Sequence, residues 1–257
     1  MDYFLNTTID TIYFQIENVE DDNACLYRAL ANALFYRTKK GSNKFVNCED
    51  KNCDRSYKDV YQNEEWGYSG NKQEDIARQI QKQAREWLDD NQNTIIENFQ
   101  ITYKDLVESE HDMEFDEYLN LYQYFAGDVY TYEIDTKYKH KIGPKKGEYI
   151  KKEITLDNRW GGTPELIAIS HICKLPILIY TSQTFNKKLN KPITGRISKN
   201  KAEKNVRFKL YQINGSEYLE MGRPPLLLLW KNTTKGPHYM CLYLKDNIKI
   251  NENGIPV

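Results

Sequence analysis

The sequence predicts an α+β domain on three observations. Helical periodicities fill the first part of the chain, apolar β-branched runs fill the last third, and no linker or internal repeat divides them. The chain has 257 residues, 40% hydrophobic and 28% charged, so it can bury one sizeable core and reads as a single domain over 1–257. A net charge of −1 leaves no basic footprint for nucleic acid. No apolar run is long enough to span a bilayer, so no membrane partner is expected.

Thr11–Ile16 alternates apolar and polar side chains and predicts a short strand. The polar turn Asn18–Ala24 follows. Leu26, Ala29, Leu30, Ala33 and Leu34 then recur at helical spacing, so Cys25 opens a helix with one buried stripe. Thr38–Gly70 reads as loop. Gln73–Leu88 predicts a second helix with Ile76, Ile80, Ala84 and Trp87 on one side. Glu114–Phe125 predicts a third, carrying Phe115, Tyr118, Leu119, Tyr122 and Phe125. Glu165–Cys173 predicts a fourth, entered through Thr163-Pro164, a cap-like residue and a first-turn proline. Pro176–Tyr180, Val206–Ile213 and Pro225–Trp230 predict strands, with Tyr239–Leu244 as hairpin partner of the last. Asn186–Asn205 reads as a long exposed, lysine-rich hairpin loop.

The chemistry starts from Cys25. A helix N-terminus offers unpaired N–H groups and about half a positive charge. A thiolate there is stabilised and its pKa falls below the free value of about 8.5. The same N–H groups can hold an oxyanion. A buried cysteine that only packs is the commoner fate of a free thiol, and position alone leaves that open. A nucleophile also needs a base, and the chain has only four histidines. His171 lies in an apolar helix and reads as a satisfied core residue. His111 and His140 lie in charged loops and read as solvated. His238 follows Gly236-Pro237 and opens a strand, a rigid place from which to deliver an imidazole.

These residues resemble a family. Asp22-Asn23-Ala24-Cys25-Leu26-Tyr27-Arg28-Ala29 resembles the Asp-Gly-Asn-Cys-Leu-Phe-Arg-Ala motif of the ovarian-tumour (OTU) class of papain-like cysteine proteases. Trp160-Gly161-Gly162, then Glu165-Leu166 and Leu175-Pro176-Ile177, resembles its second block. Gly236-Pro237-His238-Tyr239 resembles its histidine block. The blocks span 22–29, 160–180 and 236–243. The resemblance implies an OTU-like fold, with a catalytic helix packed on a small, mostly antiparallel sheet flanked by helices. It implies a deubiquitinase with Cys25 as nucleophile, His238 as base and Asp22 in the oxyanion-hole region. The backbone of Asn23, Ala24 and Cys25 would hold the oxyanion. Trp160, Gly161, Gly162, Pro237 and Tyr239 would lie along the substrate cleft. Ubiquitin, polyubiquitin conjugates or a ubiquitin-like modifier would be the partner, with a monomeric enzyme and no metal or cofactor.

Two departures bear on chemistry. Asn23 and Ala24 replace Gly and Asn of the motif; Asn tolerates a left-handed backbone best among non-glycine residues. Met240 stands where many members place Asp or Asn to orient the imidazole. Asn18 is the candidate replacement, ahead of Asp10 and Asn232. Two other readings stay open: a catalytically weak ubiquitin-binding module, favoured by Met240, or a thiol protease acting on another modifier or a viral polyprotein.

The remaining signals are weaker. Cys48 and Cys53 are spaced like a zinc pair, but four ligands are needed and no second pair lies nearby. The acidic segment Asp105–Glu117, with Phe115 and Tyr118, offers a face that could meet ubiquitin by charge complementarity. Met1–Glu20 shows no secretory signal peptide, and the five cysteines are an odd, scattered set, so free thiols in a reducing cytoplasm are expected. Richness in Asn, Lys and Ile suits an A/T-rich genome; a viral member would act in the host cytoplasm.

Overall fold

The sheet at the centre of the molecule carries apolar side chains on both faces, and this sets the layering. In the computed structural model the described residues are 8–20, 23–35, 72–97, 99–122, 129–134, 150–155, 160–186, 191–192, 204–233, 236–245, 248–251, 253 and 255–257. Asp22, His140, Cys48, Cys53 and the expected loop Thr38–Gly70 lie outside them, as does most of Asn186–Asn205.

The elements run β1 (Thr8–Asp10), β2 (Phe14–Glu17), α1 (Cys25–Phe35), α2 (Lys72–Asp90), β3 (Ile95–Ile96), β4 (Ile101–Thr102), α3 (Tyr103–His111), α4 (Phe115–Tyr122), β5 (Val129–Ile134) and β6 (Ile150–Thr155). Then come α5 (Thr163–Cys173), β7 (Ile177–Asn186), β8 (Lys191–Pro192), β9 (Lys204–Asn214), α6 (Ser216–Glu220), β10 (Leu226–Thr233) and β11 (Gly236–Leu244). The α+β class is as expected. The main sheet has the order β1-β9-β7-β10-β11-β2, with β8 added on β7. It is antiparallel except for β7 and β10, which run parallel, Leu226 beside Ile177. β3–β4 and β5–β6 form separate two-stranded hairpins.

The leucine run of β10 explains the layers. Leu226 and Leu228 face the core shared with the helices, and Leu227 and Leu229 face a second core with Phe14, Phe208 and Leu242. Successive side chains of a strand alternate faces, so a continuous apolar run means burial on both sides. α1 lies against β10, β11 and α2. The single stripe expected for it understates its burial: every described side chain from Cys25 to Leu34 is buried. Arg28 can sit there because it reaches Glu20 at 3.6 Å and Glu74 of α2 at 3.9 Å.

Four local expectations are corrected. Thr11–Ile16 is not one strand: a turn of 3₁₀ helix at Thr11–Tyr13 divides β1 from β2, because Asp10 Oδ1 accepts the Ile12 N–H at 3.0 Å. The acidic segment Asp105–Glu117 is two helices, parted by Asp112 in a left-handed conformation, φ 51°. Its Phe115 and Tyr118 are 2% and 0% exposed, so they belong to the core and are closed to a partner. Finally, α5 begins two residues early. Gly162, not Thr163, caps it: Glu165 Oε2 accepts the Gly162 N–H at 2.7 Å, and Glu110 Oε1 accepts the Thr163 N–H at 2.8 Å.

Candidate active site

Cys25 occupies the first turn of α1, whose opening hydrogen bond runs from the Arg28 N–H to the Ala24 carbonyl at 3.0 Å. The helix packs on β11, and the Tyr239 N–H points at Cys25 Sγ at 3.4 Å. An N–H aimed at the sulfur and a helix terminus beneath it both stabilise negative charge there. The sulfur thus lies against the backbone of the residue that follows His238.

His238 is buried, and its Nε2 lies 3.1 Å from Asn18 Oδ1. The sheet register accounts for that meeting. β2 pairs with β11 up to Glu17 opposite Cys241. One step further, Asn18 comes level with Met240, the position where the motif would carry its polar residue. Met240 points into the second core, and the neighbouring chain brings an amide to the imidazole instead. An Asn oxygen accepts only a proton, so Nε2 carries the hydrogen in this contact. The other two candidates are placed elsewhere: Asp10 caps the 3₁₀ turn, and Asn232 is exposed opposite Pro237.

Trp160 ties the blocks together. Its indole N–H donates to Asn23 Oδ1. Its six-membered ring lies on Gly236, where φ is 131° and an added Cβ would fall 1.9 Å from the ring. Only glycine fits both the angle and the approach. Its carbonyl accepts from the Tyr122 O–H at 3.0 Å. The motif's glycine is therefore replaced by an Asn23 whose side chain has a partner of its own. Gly161 lets the same turn rest on α1, since a Cβ there would come within 2.6 Å of Leu26 Cδ2.

A cleft of about 480 Å³ opens beside Cys25. Trp160, Gly161, Gly162, Pro237 and Tyr239 line it, together with Asn23 of the turn before Cys25. So do Tyr211 and Trp230, stacked with ring centres 5.6 Å apart, and Glu110 and His111, which the sequence reading had not placed there. Burial, with the nearby Glu110 and Cys25, pushes the Tyr239 phenol well above its ordinary range.

His111 corrects a further expectation. It is not solvated. Its side chain is 5% exposed and pairs with Glu165, 1% exposed, at 3.0 Å. Tyr118 Oη donates to the same carboxylate oxygen at 2.8 Å. Burial alone would depress the His111 pKa, but the Glu165 charge and hydrogen bond, with Glu110, raise it overall. Burial would raise the Glu165 pKa, but His111, the Gly162 N–H and Tyr118 lower it overall. His171 is satisfied but not in the core: it stacks on Trp87 at 5.2 Å, bonds Tyr218 Oη at 3.1 Å, and is one-third exposed.

No family model matches the chain, and no curated protein matches it in sequence. Among solved structures, the chain is similar to the OTU domain of OTUD1, with 13% identity and a TM-score of 0.38, over 90% of this chain and 85% of that one. It is also similar to the Hazara virus OTU bound to ubiquitin, with 16% identity and a TM-score of 0.39, over 93% of this chain and 87% of that one.

Proposed function

We propose that this chain is a thiol hydrolase that cleaves the isopeptide bond after the C-terminal Gly-Gly of ubiquitin. One observation carries the reading. A cysteine at a helix start lines a cleft and has on its sulfur the backbone N–H of Tyr239, the residue after a buried histidine whose ring is held by an amide. The motif resemblance supplies the substrate class. Gly161 and Gly162 line the cleft beside the aromatic rings of Trp160, Tyr211, Trp230 and Tyr239, a lining that suits a tail without side chains.

His238 takes the Cys25 proton, and Asn18 stabilises the resulting imidazolium through Nε2–H. The thiolate attacks the terminal glycine carbonyl. Negative charge moves onto the carbonyl oxygen, where backbone N–H groups at Asn23–Cys25 receive it. His238 protonates the departing lysine amine as the C–N bond breaks, leaving a thioester. A water gives one proton to His238 and attacks the thioester, the C–S bond breaks to release the thiolate, and the carboxylic acid formed gives its proton to solvent.

A ubiquitin probe with an electrophilic C-terminus tests this. The folded wild-type protein is expected to form one covalent adduct, mapped to Cys25 by mass spectrometry. A folded protein that stays unlabelled is a binding module, not an enzyme. An adduct with another modifier's probe and none with ubiquitin redirects the substrate assignment. Asn18→Ala is expected to lower kcat/KM by about 10- to 100-fold with unchanged folding, since it frees the imidazole to rotate. Steady-state kinetics against wild type check it; an unchanged value removes Asn18 from the site.

A further inference from the structure

The buried pair beneath the cleft has a proton inventory that goes beyond structural support. Tyr122 Oη lies 3.0 Å from the Trp160 carbonyl, to which it donates, and 3.2 Å from His111 Nδ1. A phenol has one proton. With that proton on the carbonyl, Nδ1 must be the donor in the second contact. On the far side of the ring, Nε2 faces a Glu165 oxygen that also receives Tyr118 O–H, so Nε2 donates too. Both ring nitrogens carry hydrogen, and the ring is an imidazolium.

We infer that the His111 imidazolium is a positioning group for the site: through Tyr122 it fixes the Trp160 carbonyl, and through Trp160 it holds Asn23 and Gly236 in register across the cleft. The functional part of this inference rests on the proposed hydrolase reading. Losing the Nδ1 proton leaves one phenol hydrogen for two acceptors, the imidazole nitrogen and the Trp160 carbonyl. The Trp160 turn is then free to shift, and with it the neighbour of Cys25 and the turn before His238. The groups facing His111 come from two other elements as well as its own: Glu110 on α3, Tyr118 and Tyr122 on α4 and Glu165 on α5. The carboxylates favour the charged ring. Burial pushes the Tyr118 phenol well above its ordinary range, so it stays neutral where a histidine titrates.

The test uses the full chain and Tyr122→Phe, which keeps the ring and removes only the hydroxyl. The Trp160 indole N–H, assigned by its loss in Trp160→Phe, is followed by NMR together with the His111 ring as pH is raised. In the wild type both are expected to move with one midpoint, above the ordinary histidine value of about 6.5. In Tyr122→Phe the His111 midpoint falls and the Trp160 resonance no longer follows it. Turnover of a ubiquitin conjugate by the variant is expected to drop by about 10- to 100-fold, mainly in kcat. A wild-type Trp160 resonance that stays flat through the His111 transition overturns the inference. So does a Tyr122→Phe enzyme with wild-type kcat and pH profile. If the wild type turns over no ubiquitin conjugate, the hydrolase reading falls, while the joint titration still decides the His111–Trp160 coupling on its own.

Discussion

Cys25→Ala folds normally and loses turnover by at least about a thousandfold, because the bond-forming atom is gone while the donors that would hold the oxyanion remain. The structural cost is small. The substitution deletes one sulfur at the edge of a cleft and leaves the Tyr239 N–H facing that cleft, so a loss of about 1 kcal/mol or less is expected. Initial rates on a fluorogenic ubiquitin derivative, read beside a thermal melt, check both halves. Retained turnover would require another thiol. Cys173 and Cys241 are 1% and 0% exposed in the core, so neither can substitute. Cys48 and Cys53 would then be the residues to replace.

Glu165→Ala carries the largest expected stability effect. The carboxylate is fully buried and receives hydrogen from His111, Tyr118 and the Gly162 backbone. Its removal strands a buried imidazolium and an uncapped helix start. Breaking a buried pair from one side costs about 3–5 kcal/mol. A chain of this size then melts lower by roughly 6–20 °C. Urea denaturation at constant pH measures it, and a loss below 1 kcal/mol would show that the pair contributes little net.

The same pair gives stability a definite pH dependence. The His111 pKa is raised on folding, so its contribution is full below its ordinary 6.5 and is lost as pH rises through the folded value. The Glu165 pKa is lowered, so its contribution is full above its ordinary 4.5 and is lost as pH falls through the folded value. The pair therefore stabilises most between 4.5 and 6.5. Wild-type stability, measured by denaturant melts, is expected to decline on both sides of that window, and Glu165→Ala to flatten the decline.

What the sequence displayed was local. The stripe behind Cys25 and the leucines of β10 are short-range patterns, and they became α1 and a doubly buried strand. The position of Cys25 at a helix start followed from the same pattern. What it hid was pairing across the chain. His111 and Glu165 lie 54 positions apart, and nothing within the acidic stretch around His111 signals a buried partner. The meeting of Asn18 with His238 depends on the β2–β11 register, which no local pattern encodes. Phe115 and Tyr118 teach a related lesson: an amphipathic repeat reveals an apolar face but not whether the core or a partner will cover it. The β5–β6 pair went unread although Val129–Ile134 is rich in β-branched and aromatic residues and follows Gly127-Asp128; the partner strand carries Lys151 and Lys152, which break its apolar alternation.

The strand order has a consequence for the life of the molecule. Among the described residues β2 pairs only with β11, and β11 is the last long strand. Cys25 emerges early in synthesis, yet the N–H on its sulfur, the imidazole held by Asn18 and the glycine under Trp160 all arrive some two hundred residues later. Such distant closures form slowly, after local structure. On the proposed function, an incomplete chain would therefore lack hydrolytic competence, its cysteine made without the groups that arrive with β11.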